Sequence, residues 1–236
     1  MKTTTQSVKA CLAAILVAGA TFSARAVTFT VDPGATWSGY MNVFETPQNG
    51  GAYLWGSGWG VADLNTSWAG PVLSLSPNTI GDPNSYWYTP SGGPGAIGNK
   101  IMAASFYQEF NVSLAGQSVT FTGDVLANSL LSSVNQQGNG WTSVAFIKDF
   151  APDYSSFNVV SVPLTTLGVF TITMNTVNDP ARHVQFGFET VGPDVWATDA
   201  GAYGSVQITA VPEPTMATLL LCGIAGLAAA KRRKTA

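Results

Sequence analysis

The chain has 236 residues, of which 46% are hydrophobic and only 10% charged, and a formal net charge of −3. That figure conceals an acidic body. From Val27 to Ala210, three basic residues (Lys100, Lys148, Arg182) stand against twelve acidic ones, a net charge of −9, which excludes the cationic footprint on which nucleic-acid affinity rests. Both cysteines, Cys11 and Cys222, fall outside this body, so it has neither a disulfide nor a thiol nucleophile.

At the N-terminus, Lys2 and Lys9 precede an apolar stretch from Ala10 to Ala20. Ala24-Arg25-Ala26 then places small residues at the two positions a signal peptidase reads. The pattern predicts a signal peptide over 1–26, with signal peptidase as a processing partner at Ala24 and Ala26, and an exported chain starting at Val27.

The body that follows, 27–210, is long enough for one domain with its own core. Period-two alternation marks Val27 to Val31, Ser118 to Thr122, Thr171 to Met174, His183 to Phe188 and Ser205 to Thr209 as half-buried strands. Val72 to Leu75, Ser85 to Thr89, Ile101 to Val112, Thr142 to Ile147 and Phe157 to Val162 are further strands. The stretch from Gly39 to Gly98 is the least regular. Asp32-Pro33-Gly34, Gln48-Asn49-Gly50-Gly51, Gly81-Asp82-Pro83-Asn84, Ser91 to Gly95 and Gly138-Asn139-Gly140 supply turns, because Gly and Asn accept positive φ and Pro presets it. About ten strands without an amphipathic helix predict an all-β fold, an antiparallel β-sandwich of jelly-roll-like type.

Catalytic residue types are scarce in this body. His183, its one histidine, has parity opposite to Val184, Phe186 and Phe188 and should face away from the core; a histidine zinc site is excluded, since it needs several His or Cys ligands. Glu45, Glu109 and Glu189 offer carboxylates without a spacing that favours glycoside hydrolysis. No catalytic residue, cofactor site or metal site is assigned. A structural Ca²⁺ near Asp149 and Asp153, or near Asp194 and Asp199, would use oxygen ligands on loops, although solvated loop carboxylates explain the same residues. Tyr86-Trp87-Tyr88 is a candidate ligand platform, weighed against core or rim packing of the same rings.

The chain ends on Val211-Pro212-Glu213-Pro214, an apolar run from Thr215 to Ala230, and Lys231-Arg232-Arg233-Lys234. The run predicts a transmembrane helix, somewhat short for a hydrocarbon core of about 30 Å, with the basic residues as a cytoplasmic stop. These features, 211–236 in all, resemble the PEP-CTERM sorting signal of exopolysaccharide-making bacteria. The resemblance implies processing by exosortase at or near Pro212, Glu213 and Pro214. It also implies export through the inner membrane, anchoring by the C-terminal helix until processing, and then a place at the cell surface or in the extracellular matrix. On this reading the body is a non-catalytic structural or saccharide-binding ectodomain associated with exopolysaccharide and biofilm. A secreted glycan hydrolase using a carboxylate pair is the alternative.

Overall fold

A computed structural model of the chain describes residues 26–111 and 114–211. The signal peptide up to Arg25, the motif at Pro212, Glu213 and Pro214, the run from Thr215 to Ala230 and the basic stop Lys231 to Lys234 lie outside the described residues.

Alternating side chains build the strands. In β9 (Ser118–Asn128), Val119, Phe121 and Val125 are buried while the residues between them are half-exposed, and β12 (Gly168–Asn175) alternates in the same way. One six-stranded sheet is built around β9. On one edge of β9 lies β12. On the other, β1 (Ala26–Thr30) covers Ser118 to Thr122 and β14 (Val206–Thr209) covers Asp124 to Asn128. Beyond β14 come β5 (Val72–Leu75) and β4 (Thr66–Ala69). The second sheet runs β11 (Phe157–Pro163), β10 (Thr142–Phe150), β13 (His183–Pro193), β8 (Lys100–Asn111), β2 (Ser38–Glu45), β3 (Tyr53–Trp59). A two-stranded ribbon, β6 (Tyr88–Thr89) with β7 (Ile97–Gly98), and one short helix, α1 (Ala200–Tyr203), complete the elements that matter here.

The two large sheets pack face to face through aromatic rings. Phe121 of β9 lies 5.2 Å from Phe186 and 5.3 Å from Phe188 of β13. Phe29 of β1 stacks on Phe186 at 4.2 Å. These rings and the aliphatic residues around them form one continuous core, which excludes water from both inner faces.

The sequence expectation of an antiparallel, jelly-roll-like sandwich with a membrane helix is corrected in two respects. The fold is mostly β, in three open sheets and no closed barrel, and one of its pairings, β1 with β9, is parallel. Alternation could not reveal this, because period two is common to both strand senses. Among the described residues, moreover, no helix is long and apolar enough to cross a membrane. The transmembrane anchor, the inner-membrane location and the partnerships with signal peptidase and exosortase drawn from it find no support there and are set aside.

Candidate functional site

The second sheet turns one face to the core and leaves the other open. On β13, Val184, Phe186 and Phe188 point inward, so Gln185, Gly187 and Glu189 point out. Their neighbours in register are Glu109, Tyr107 and Ser105 of β8 on one side and Lys148, Phe146 and Val144 of β10 on the other. Tyr40, Asn42 and Phe44 of β2, and Phe157, Val159 and Ser161 of β11, raise the flanks. Together they enclose a groove of about 880 Å³, within the size range of small-molecule sites.

Gly187 lies beneath the groove, between Gln185 and Glu189 of the outward row. A Cβ there would stand 2.2 Å from the Phe106 carbonyl oxygen and 2.6 Å from Tyr107 Cα. Only glycine fits at this position.

The charged groups of the groove are engaged with one another. Lys148 donates to Glu189 Oε2 at 2.9 Å and lies 4.2 Å from the Phe146 ring centre. Ser105 Oγ donates to the same carboxylate oxygen at 2.9 Å. Toward the other end, Glu109 accepts from Gln185 Nε2 at 2.7 Å and from the Tyr154 hydroxyl at 3.0 Å. Tyr154 comes from the loop between β10 and β11 and has φ of 58°, a conformation that bulky residues rarely adopt. That backbone carries its ring back to stack on His183 at 4.3 Å. Burial, and then the bond to Glu109, push the Tyr154 hydroxyl up to about 12. Burial also raises Tyr107, with Glu109 adding to it. Both phenols therefore remain hydrogen-bond donors across the physiological range.

Of the residues singled out from sequence, Glu109 and Glu189 line the groove and His183 lies beside it under the Tyr154 ring, whereas the others fall elsewhere. Tyr88 is fully buried, its hydroxyl bonded to Ile80 and to the Val195 carbonyl. Trp87 is half-buried against the core, and Tyr86 alone of the three is exposed, at 40%. Tyr86 lies over Lys100 at 4.4 Å and accepts from Trp55 Nε1 at 3.1 Å. The three do not form one face. Asp149 is 1% exposed and takes Arg182 Nε and the Val177 N–H, both at 2.8 Å, whereas Asp153 is bound to Ser155 in its own turn. Asp194 is buried and accepts the Lys100 N–H, while Asp199 accepts from Gly95. Neither aspartate pair converges, and among the described residues no group of three or more His, Cys, Asp or Glu is placed to hold a metal ion. Ala26 is the first residue of β1.

The carboxylate pair of the hydrolase alternative is spread along the sheet: Glu109 lies opposite Gln185 and Glu189 opposite Ser105, and each carboxylate is engaged by neighbours.

Sequence reasoning missed the groove. Its signal was the outward row of each strand: Ser105-x-Tyr107-x-Glu109, Phe146-x-Lys148-x-Phe150 and Gln185-x-Gly187-x-Glu189 mix rings with charges where a plain solvated face would be polar throughout. No family model matches the chain, and neither a curated protein nor a solved structure matches it. The expectation of an exosortase-sorted exopolysaccharide ectodomain anchored by a membrane helix is corrected by the described structure. What is shown is a β-rich domain with a buried network of polar groups and ion pairs, without a membrane helix among the described residues.

Proposed function

We propose that the domain acts by binding, not catalysis, and that its ligand lies in the groove over Gly187. The observation carrying this reading is the groove itself: a concavity with aromatic flanks and a floor of fixed hydrogen-bonding groups, the usual composition of a small-molecule site. Two carboxylates and one ammonium line it, and each is engaged. An uncharged amphiphile fits best, with a flat apolar face for the rings of Phe150 and Phe157 and an N–H or O–H donor for Glu189 or Glu109. Support for a non-catalytic role comes from the same pairing: Lys148, Glu189 and Glu109 are all tied to neighbours, leaving no free base beside a nucleophile.

Indole is a suitable probe, since it offers one apolar face and one N–H donor, and benzoate serves as its anionic comparator. Titration of the full chain by calorimetry should show saturable binding of indole and none of benzoate. Phe150 packs 5.5 Å from Tyr154 and 4.9 Å from Phe157, so Phe150→Ala should weaken indole by about 1 kcal/mol, roughly fivefold in Kd. Equal binding by the variant, or preference for benzoate, would place the ligand elsewhere. The tail at 211–236 keeps its resemblance to a PEP-CTERM signal as a resemblance of sequence; no partner or location is drawn from it.

A further inference from the structure

We propose that β11 joins two copies of this chain, pairing antiparallel with β11 of the second copy about a two-fold axis at Val159. This does not depend on what the groove binds. Among the described residues β11 pairs only with β10, as the outer strand of its sheet. Which of its backbone groups face outward follows from the register. The Ala151 N–H donates to the Ser156 carbonyl at 2.8 Å, and the Leu164 N–H to the Ser143 carbonyl at 2.9 Å. Both bonds belong to the one unbroken register that also sets Ile147 opposite Val160. Antiparallel ladders alternate bonded and non-bonded pairs, so Asn158, Val160 and Val162 turn their peptide groups toward β10. Phe157, Val159 and Ser161 turn theirs outward. At the far end Pro163 has no N–H to offer and closes the edge.

Apart from Pro163 at its end, this edge lacks the protections that usually blunt exposed strands, such as lysines, bulges or inward charges. Phe157 and Val159 are each 49% exposed, and the neighbouring start of β12 exposes Leu167 and Val169. The occupant follows from charge. No charged residue lies between Asp153 and Asp179, a stretch containing β11, the turn and β12, although the body carries −9. Two copies of an acidic domain repel one another across most of their surfaces, and they can meet at this stretch, which adds no charge of its own and has Lys148, paired to Glu189, opposite Val159. Charge depletion is also what marks the core of a protein interface. A basic partner of another kind would gain nothing by choosing it.

The outward peptide groups fix the pairing: Val159 opposite its own counterpart, and Phe157 opposite Ser161 in both directions. An axis normal to the sheet keeps side chains of equal parity on one face. Phe157, Val159 and Ser161 line the groove, so the grooves of both copies open on the same face of a sheet running through twelve strands.

Two measurements on the full chain test this. Sedimentation velocity should show a species of twice the monomer mass that grows with concentration. Val159→Lys, which sets two ammonium groups together at the axis, should return it to monomer and remove the rise in melting temperature with concentration that the dimerising parent shows, while Thr171→Lys on β12 should leave the dimer intact. Amide exchange supplies the second readout. Phe157, Val159 and Ser161 should become protected as concentration rises, and Asn158 and Val160 should be protected throughout. A chain monomeric at all concentrations overturns the proposal. So does a dimer that survives Val159→Lys, or one whose formation leaves the three outward amides unprotected.

Discussion

Asp194 shows how much one buried group contributes. It is 1% exposed, its Oδ1 accepts the Lys100 N–H at 3.0 Å, and its Oδ2 has no hydrogen-bond partner in the described structure. Burial pushes its carboxyl up to about 7, against the opposing pull of the Lys100 N–H, its own backbone and the Lys100 charge. Tyr88, Lys100 and Asp199 are the titratable groups that bear on this corner of the fold. An unfolded aspartate titrates near ~3.9, so between about pH 4 and pH 7 the native state holds a proton that the unfolded state has shed. Stability is therefore greatest at the acid side of that window and falls as pH rises through 7, by up to about 4 kcal/mol in total. Denaturant titrations of the parent and Asp194→Asn at about pH 5 and pH 8 should show a pH-dependent gap in the parent that the asparagine variant lacks. A parent gaining stability across that window would refute the assignment. At Gly187 the consequence is steric. Gly187→Ala puts a methyl against backbone atoms of β8 and should destabilise by roughly 1–3 kcal/mol, with loss of probe binding in whatever fraction still folds.

Among elements, the junction of β10 with the segment leading into β13 rests on a buried ion pair. Arg182 donates to Asp149 through Nε at 2.8 Å and through Nη2 to the Asp149 carbonyl at 2.6 Å. Removing one partner of such a pair leaves the other uncompensated, at about 3–5 kcal/mol. Asp149→Ala should lower the unfolding midpoint accordingly, and Asp153→Ala, four residues on in an exposed turn, should leave it near the parent. Comparable midpoints for both would show that the pair holds nothing together. The elements also differ in how well the sequence announced them. In β13 alternation was plain, since Val184, Phe186 and Phe188 line the core while Gln185 and Glu189 do not. In β2 it was hidden: Met41 and Val43 face the core, but Tyr40 and Phe44 face the groove, so large apolar side chains occupy both sides and no period stands out. β3 was masked by Gly56, where a Cβ would meet Asn42 Oδ1 at 2.5 Å and the Tyr40 hydroxyl at 2.9 Å. That glycine reads as a breaker in sequence and is in fact the room that two β2 side chains require. The groove was illegible for a related reason. Its parts come from β2, β8, β10, β11 and β13, and only register brings Glu109 beside Gln185 or Lys148 beside Glu189.

For the molecule as a whole, the two faces of one sheet divide the work. The inner face contributes Phe186, Phe188, Phe106 and Ile147 to the core, which holds the strands in a single register. The outer face then inherits a fixed arrangement of rings, carboxylates and one ammonium, to which a loop adds only Tyr154. A site on strands is more rigid than one on loops, and rigid sites lose little freedom on binding. On the proposed function, the ligand sits on this outer face, over Gly187. Intermolecular nuclear Overhauser contacts between indole and the full chain test it most directly. Contacts are expected from the indole ring to Phe150, Phe157 and Tyr107, with none to Tyr86 or Trp55. Contacts confined to the Tyr86 and Trp55 cluster, or none anywhere at saturating indole, would contradict it.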